Sequence, residues 1–489
     1  MFLLSIKRGT GQSASIPGHA IPAASKEKIS SRCNNLVQNP SFEEGLTGWE
    51  SNNAATTDNN PFEGTQVASL GPGVASLFQD VALASLSHRP LFLSFNVFPG
   101  GTNTANGNLI AEVLWLDADR NSIATGLRIF IPNQRITFAR ITYFDITDQP
   151  PAAAAWARLQ FSKGLSGAEN NDIIEIDQVL LTPAGTSNLS QNPSFEAGLT
   201  GWTATSFDLN FAVPLEGAAQ VLTNTAGSTL FQDVPINSLP PHSSFLLAFG
   251  AAAMNIATLS VQVLWLNAAG GQIGMPGLDL SVPSNTLVGQ QNYLTYLDIT
   301  GPAPAGAVTA RILFTPPEIN AEADLRIDQV IFAGTATTNL VQNPSFEDGL
   351  SDWTAVNTTV EAVNNAYEGN EVARVSENGG ILFQDVPLSN AAGHCFLFNC
   401  GIGNTSNPFP QGNMLMKILW LDASGSEIGL GLSLIDAIFS ITDDQWLVYT
   451  GITEPAPSCT KTARIQFTKS AGGTGGTIDV DKVVLARLV

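Results

Sequence analysis

One phrase recurs three times in this chain and fixes its plan before any other feature is considered. It reads Asn39-Pro40-Ser41-Phe42-Glu43, then Asn192-Pro193-Ser194-Phe195-Glu196, then Asn343-Pro344-Ser345-Phe346-Glu347. Six residues after each Glu stands a tryptophan: Trp49, Trp202 and Trp353. The copies begin 153 and 151 residues apart, so the chain is a tandem array of three units. A length of 489 residues supports the same count, at about 150 residues per domain. Boundaries follow at 35–184, 185–335 and 336–489, behind a leader of residues 1–34.

Each unit is large enough to bury its own core without disulfide support. Charged residues make up only 13% of the chain, against about a quarter in average domains, so Asn, Thr, Ser, Gln and Gly must supply the polar surface. The formal net charge is −21, and the leader holds five Lys/Arg against one acid, leaving 16 basic and 41 acidic residues in the repeats. A surface this acidic repels phosphate backbones and excludes nucleic acid as the expected partner. It suits divalent cations, although solubility alone also accounts for it. The leader is Ser/Ala/Gly-rich and reads as disordered, and no clear signal peptide stands in it. No run of 18 apolar residues occurs, so no membrane span is expected.

Short apolar runs broken by Gly, Pro, Asn and Asp fill each unit, without a 3.6-residue stripe. Leu91–Phe98 is rich in β-formers, and Glu112–Leu116 runs into the turn cluster Asp117-Ala118-Asp119-Arg120-Asn121. That strand and turn return at Val261–Gly271 and at Lys417–Gly425. A later strand recurs as Ala157–Phe161, Ala310–Phe314 and Ala463–Phe467. The prediction is an all-β chain of three tandem antiparallel β-sandwiches. Connections as short as Thr182–Ser187 and Ala333–Thr338 predict units stacked with restricted bending. The four cysteines (Cys33, Cys395, Cys400 and Cys459) are too few for a disulfide scaffold and read as buried free thiols, with Cys459 able to meet either Cys395 or Cys400.

Each unit closes on a second signature: Ile176-Asp177-Gln178-Val179, Ile327-Asp328-Gln329-Val330 and Val480-Asp481-Lys482-Val483. The opening Glu and the closing Asp are 134, 132 and 134 residues apart. Asp177 shares strand parity with Val179 and Leu181, and a carboxylate on an apolar row is costly unless satisfied. Two arrangements answer this: backbone N–H groups that cap the carboxylates, or a cation shared with the opening Glu.

Together these features resemble the calcium-containing jelly-roll carbohydrate-binding modules of the galactose-binding-like superfamily, in which an "N-x-F-E…G-W" segment and an "I-D-x-V" strand lie side by side. The resemblance covers all three units. It includes the strands Phe78–Val81, Phe231–Val234 and Phe383–Val386 and the acid-Gly loops at Glu63-Gly64, Glu216-Gly217 and Glu368-Gly369. Tandem units of this kind are also similar to repeats in surface and spore-layer proteins of Gram-positive bacteria. The resemblance implies one structural Ca²⁺ per repeat, held by Glu43 with Asp177, Glu196 with Asp328, and Glu347 with Asp481, together with loop carbonyls near Gly64, Gly217 and Gly369. It implies glycan, or other surface-layer proteins, as partners, and an extracellular or cell- or spore-surface location.

Trp49, Trp202 and Trp353 sit at one fixed place, as core anchors do, and Trp115, Trp265 and Trp420 share parity with apolar neighbours. Arg158, Arg311 and Arg464 recur although basic residues are scarce, and an Arg fork can bond sugar hydroxyls or a structural carboxylate. One column varies between units, with Arg140, Tyr293 and Trp446, so Trp446 joins the three arginines as a candidate ligand contact. The histidines His88, His242 and His394 enter turns, and no nucleophile or catalytic motif recurs around them. The expectation is a non-catalytic structural or adhesive surface protein. Multivalent glycan binding by avidity is the alternative, and a glycan-active enzyme a remote one.

Overall fold

The computed structural model describes residues 34–489, apart from 60, 84–87, 101–106, 138–139, 165–171, 256, 288, 290–291, 377–378, 405–412, 437–445 and 471–475. The leader 1–34 therefore lies, but for its last residue, outside the described residues. Thirty strands form six five-stranded sheets, all antiparallel, and no helix occurs among the described residues.

In the first unit one sheet is ordered β1 (Glu50–Asn52), β4 (Ala75–Ala82), β9 (Trp156–Lys163), β6 (Leu109–Leu116), β7 (Ser122–Ile131). The facing sheet is ordered β2 (Ala54–Thr57), β3 (Val67–Leu70), β10 (Ile174–Pro183), β5 (Leu91–Pro99), β8 (Ile141–Ile146). The second unit repeats this as β11 (Thr203–Thr205), β14 (Thr229–Pro235), β19 (Thr309–Thr315), β16 (Leu259–Leu266), β17 (Leu278–Val282). It faces β12 (Asp208–Asn210), β13 (Gln220–Thr223), β20 (Asp324–Thr335), β15 (Ser244–Met254), β18 (Leu294–Ile299). The third has β21 (Thr354–Val356), β24 (Ile381–Pro387), β29 (Thr462–Lys469), β26 (Met414–Leu421), β27 (Glu427–Ile435). Against it lie β22 (Thr358–Ala362), β23 (Glu371–Val375), β30 (Ile478–Ala486), β25 (Leu397–Gly403), β28 (Trp446–Ile452). These are three jelly-roll sandwiches with one strand order, as the sequence predicts.

The two sheets of a unit meet different surroundings. Burial alternates along β9, as in a sheet with one wet face, whereas every residue of β10, β25 and β28 is buried. A strand buried on both faces needs a second layer, and the neighbouring unit supplies it. Strand β8 packs on β20, β18 packs on β30, and β28 returns to pack on β10, while β8, β18 and β28 also touch one another. The three sandwiches thus form a closed ring with threefold pseudosymmetry. One apolar cluster draws on all three units, including Phe92 and Phe144, Phe249 and Tyr296, and Trp446 and Val448.

Stacked units were the expectation, and the ring differs from it for a simple reason. A short connection limits how far apart two chain ends lie but not which faces meet. The connections converge: a Cβ added to Gly185 would meet the carbonyls of Gly334 and Leu488, so both linkers and the residues just after β30 reach one place. The expectation of buried free thiols holds for Cys400; Cys459 is free but exposed, so it meets neither Cys395 nor Cys400, and Cys395 is disulfide-bonded.

Candidate functional site

The opening phrase folds into a compact knot. Asn39 Nδ2 donates to the Gly45 carbonyl at 2.7 Å and Trp49 Nε1 to the Asn39 carbonyl at 3.2 Å, with Phe42 and Trp49 ring centroids 5.3 Å apart. Asn192 with Trp202 and Asn343 with Trp353 repeat these bonds. All three tryptophans are buried, as are Trp115, Trp265 and Trp420. Core anchoring is their role in this structure.

The knot aims its Glu at the acid-Gly loop. Glu43 Oε1 accepts the amides of Thr65 and Gln66, both at 2.7 Å, and Oε2 accepts the Thr65 hydroxyl. Glu196 takes the amides of Ala218 and Ala219, and Glu347 those of Asn370 and Glu371. The closing Asp reaches the same loop from the other side. Asp177 Oδ2 accepts from Phe62 N at 2.7 Å and Glu63 N at 3.0 Å, while Oδ1 accepts from Gln178 N. Asp328 repeats this on Leu215, Glu216 and Gln329, and Asp481 accepts from Glu368 and Lys482. The glycine between them is obligatory: Gly64 has φ +71°, and a Cβ there would lie 2.5 Å from Glu43 Oε1.

The expected Glu–Asp pairs therefore converge on one loop, each through N–H donors. Calcium takes six to eight oxygens, and here Oε1 of each opening glutamate and the oxygens of each closing aspartate accept from backbone amides. Among the described residues no group of three or more His, Cys, Asp or Glu side chains gathers as a metal site would. These amide bonds are the ones that the capping arrangement calls for. Burial pushes Asp177, Asp328 and Asp481 well above the ordinary aspartate value; the adjacent loop glutamate adds to the rise, and the loop amides oppose it.

The loop's own glutamate does what the sequence reading missed. Gly64 N donates to the Ile435 carbonyl and Ile435 N to Glu63 Oε1, both at 3.0 Å, so the first unit clips onto the third. Gly217 N bonds the Phe130 carbonyl, clipping the second unit to the first, and Gly369 N bonds that of Ser281, clipping the third to the second. Each clip covers the end of an outer edge strand, β7, β17 or β27, which would otherwise offer unpaired backbone. A tyrosine column completes the joints. Tyr143 Oη donates to Leu215 O at 3.2 Å and Tyr449 Oη to Phe62 O at 3.0 Å, while Tyr296 stacks on Tyr367 at 4.6 Å. Its sequence signal was present: Ile141–Ile146, Leu294–Ile299 and Leu447–Ile452 are apolar on both parities, with Tyr at one register.

The arginine column is spent inside its own sheet. Arg158 forks onto Asp80 at 2.6 and 2.9 Å, Arg311 onto Asp233 at 2.7 Å twice, and Arg464 onto Asp385 at 2.6 and 2.7 Å. The pairs face each other directly in register across β4/β9, β14/β19 and β24/β29. Each guanidinium also lies 4.1–4.3 Å over a Phe ring of the preceding strand. Trp446 is buried and donates to the Asn365 carbonyl at 2.8 Å, while Arg140 at the matching position donates to Pro61 O.

Two hollows bear on binding. One, of about 300 Å³, lies on the outer sheet of the first unit among Glu50, Phe78, Asp80, Arg120 and Trp156, where Arg120 sits 4.4 Å over the Trp156 ring. The other, of about 560 Å³, lies in the joint between the third and first units.

No family model and no curated protein matches the chain. Solved structures do. The tandem of two family 22 carbohydrate-binding modules from Paenibacillus barcinonensis Xyn10C is 14% identical with a TM-score of 0.25, covering 62% of this chain and 98% of that one. The module TmCBM61, solved with β-1,4-galactotriose, is 15% identical with a TM-score of 0.23, covering 30% and 99%. The enzymatically active domain of bacteriophage CBA120 tailspike protein 4 is 20% identical with a TM-score of 0.25; the match takes in 30% of this chain and only 21% of that domain's length. Likeness at these identities concerns the fold alone.

Proposed function

We propose that the chain is a non-catalytic structural or adhesive component of an outer surface, acting as a closed three-lobed body. The observation that supports it best is the fate of the repeated residues. The glutamates and aspartates of the two signatures cap amides, the loop glutamates and tyrosines join units, and the arginines pair with aspartates. Repetition here serves assembly of the body. The disulfide at Cys395 suits an oxidising compartment. Fractionation of cells or spores with an antibody to the chain tests the location: recovery in the envelope or coat layer is expected, and recovery only in the soluble cytosol defeats the proposal.

Glycan binding is the second reading, and the cleft beside Arg120 and Trp156 favours it. Arg120 lies over the Trp156 ring, and an indole with a guanidinium beside it offers apolar surface and N–H donors for a sugar and its hydroxyls. Thr309 and Thr462 occupy the Trp156 position in the other units, so the cleft belongs to the first unit. Affinity electrophoresis in xylan and in β-1,4-galactan gels, with the full chain and Trp156→Ala, decides it. Retardation lost in the variant supports the reading; unretarded migration in both gels removes these polysaccharides. Calcium at Glu43/Asp177, Glu196/Asp328 and Glu347/Asp481 stands as a separate proposal, tested by chelation below.

A further inference from the structure

The three joints of the ring are built on one plan but filled differently. At the position after the closing Asp stand Gln178, Gln329 and Lys482, all with left-handed backbone near φ +50°. Facing it from the adjoining unit, two residues past the tyrosine of the edge strand, stand Asp145 in β8, Asp298 in β18 and Gly451 in β28. Between the second and third units, Lys482 Nζ lies 2.6 Å from Asp298 Oδ2 and 3.7 Å from Glu368 Oε2, all three buried. An ammonium on a four-carbon stem fills that joint.

Between the third and first units the same place is hollow. Glycine replaces the aspartate, glutamine replaces the lysine, and a cavity of about 560 Å³ remains. Its walls carry Glu43, Glu44, Glu63 and Glu454 but no Lys or Arg among the described residues. Leu432 and Ile452 give it an apolar side. Gln178 lines it at 5% exposure, and neither its Oε1 nor its Nε2 has a hydrogen-bond partner. A buried amide with both ends unmatched is costly, and here it borders a space large enough for a small molecule.

We propose that this joint binds a small primary ammonium with an apolar stem, seated as the Lys482 side chain is seated in the neighbouring joint. The ammonium has three N–H donors for Glu63 and the Gln178 carbonyl oxygen, and its stem lies along the leucine wall. A net-negative cavity without an internal cation selects the charge, and the apolar side selects an alkyl amine over a bare metal ion.

The probe is n-butylammonium, which reproduces the lysine side chain, added to the full chain and compared with tetramethylammonium and calcium at equal ionic strength. Ligand-detected saturation-transfer NMR should show contact for n-butylammonium with the wild-type chain, and its saturating addition should raise Tm by about 1–2 °C. Gln178→Lys places an internal ammonium at a backbone position that already carries lysine in the third unit. This variant should lose the NMR contact and the Tm gain, and Glu63→Gln should weaken both. Absence of saturation transfer in the wild type overturns the proposal, as does an equal Tm gain with tetramethylammonium or calcium. Undiminished binding in a folded Gln178→Lys chain overturns it as well.

Discussion

The Tyr449 hydroxyl donates to the Phe62 carbonyl at 3.0 Å, joining residues 387 positions apart, and their rings stack at 4.4 Å. This contact closes the ring. Each joint is heterologous, the face of one unit meeting a different face of the next. Such contacts either close or propagate into an open filament. Here three copies close, because β28 of the last unit returns to the first unit's β10.

The closed ring predicts solution dimensions. A compact body of about 455 residues has a radius of gyration of about 23 Å, far below that of three sandwiches in a row. Small-angle scattering of the full chain checks it. Tyr449→Ala should cost about 3–5 kcal/mol through its cavity and the unpaired carbonyl, and should lengthen the particle if the third joint opens. An elongated wild-type profile would contradict the ring.

The amide-capped clasp predicts insensitivity to chelators. Thermal melts with and without EDTA should differ by less than about 1 °C if the loop amides alone satisfy these carboxylates. A drop of several degrees, with calcium found by elemental analysis, would establish the calcium proposal instead. Asp177→Ala should cost about 2–4 kcal/mol, since it strands the buried amides of Phe62 and Glu63.

The arginine ladder predicts a modest structural effect. Arg464→Ala removes a forked pair with half-exposed Asp385 and a contact over Phe383, together worth about 1 kcal/mol after solvent screening. Chemical denaturation measures it. Loss of binding to a glycan retained by the wild type, without loss of stability, would return the arginine to the ligand side.

Stability should rise on mild acidification. Burial pushes Glu216 up to about 7 and Asp436 up to about 8, and the nearby Asp145 is raised as well. A carboxyl with a raised folded pKa binds its proton more tightly in the native state. Its stabilisation is complete below the unfolded value near 4.5 and is lost as pH rises through about 7 for Glu216. For Glu216 the difference corresponds to roughly 3 kcal/mol as an upper bound. Tm should therefore climb from pH 8 to pH 5, and Glu216→Gln should flatten the climb. A flat wild-type profile would contradict the buried joint.

Much of the unit was legible before its coordinates. The three units and the buried tryptophans follow from fixed spacing and strand parity, while the pairing of Glu with Asp came from the resemblance. The Arg–Asp ladder was half legible: both columns recur, but a list of residues does not say that Arg158 lies in register with Asp80. The double role of the acid-Gly loop was hidden, because Glu63 finds its partner at Ile435 in another unit. Local pattern reports which face a side chain takes and not what lies beyond that face.

The sequence by itself determined three all-β units, their spacing and their cores. Only the tertiary structure decided that the units close into a ring and that Gln178 and Gly451 border a hollow joint where Lys482 and Asp298 fill another. The physical reason is range. Strand pattern and turn chemistry act within about ten residues, whereas the joints depend on the fit of surfaces that exist only after each sandwich has formed.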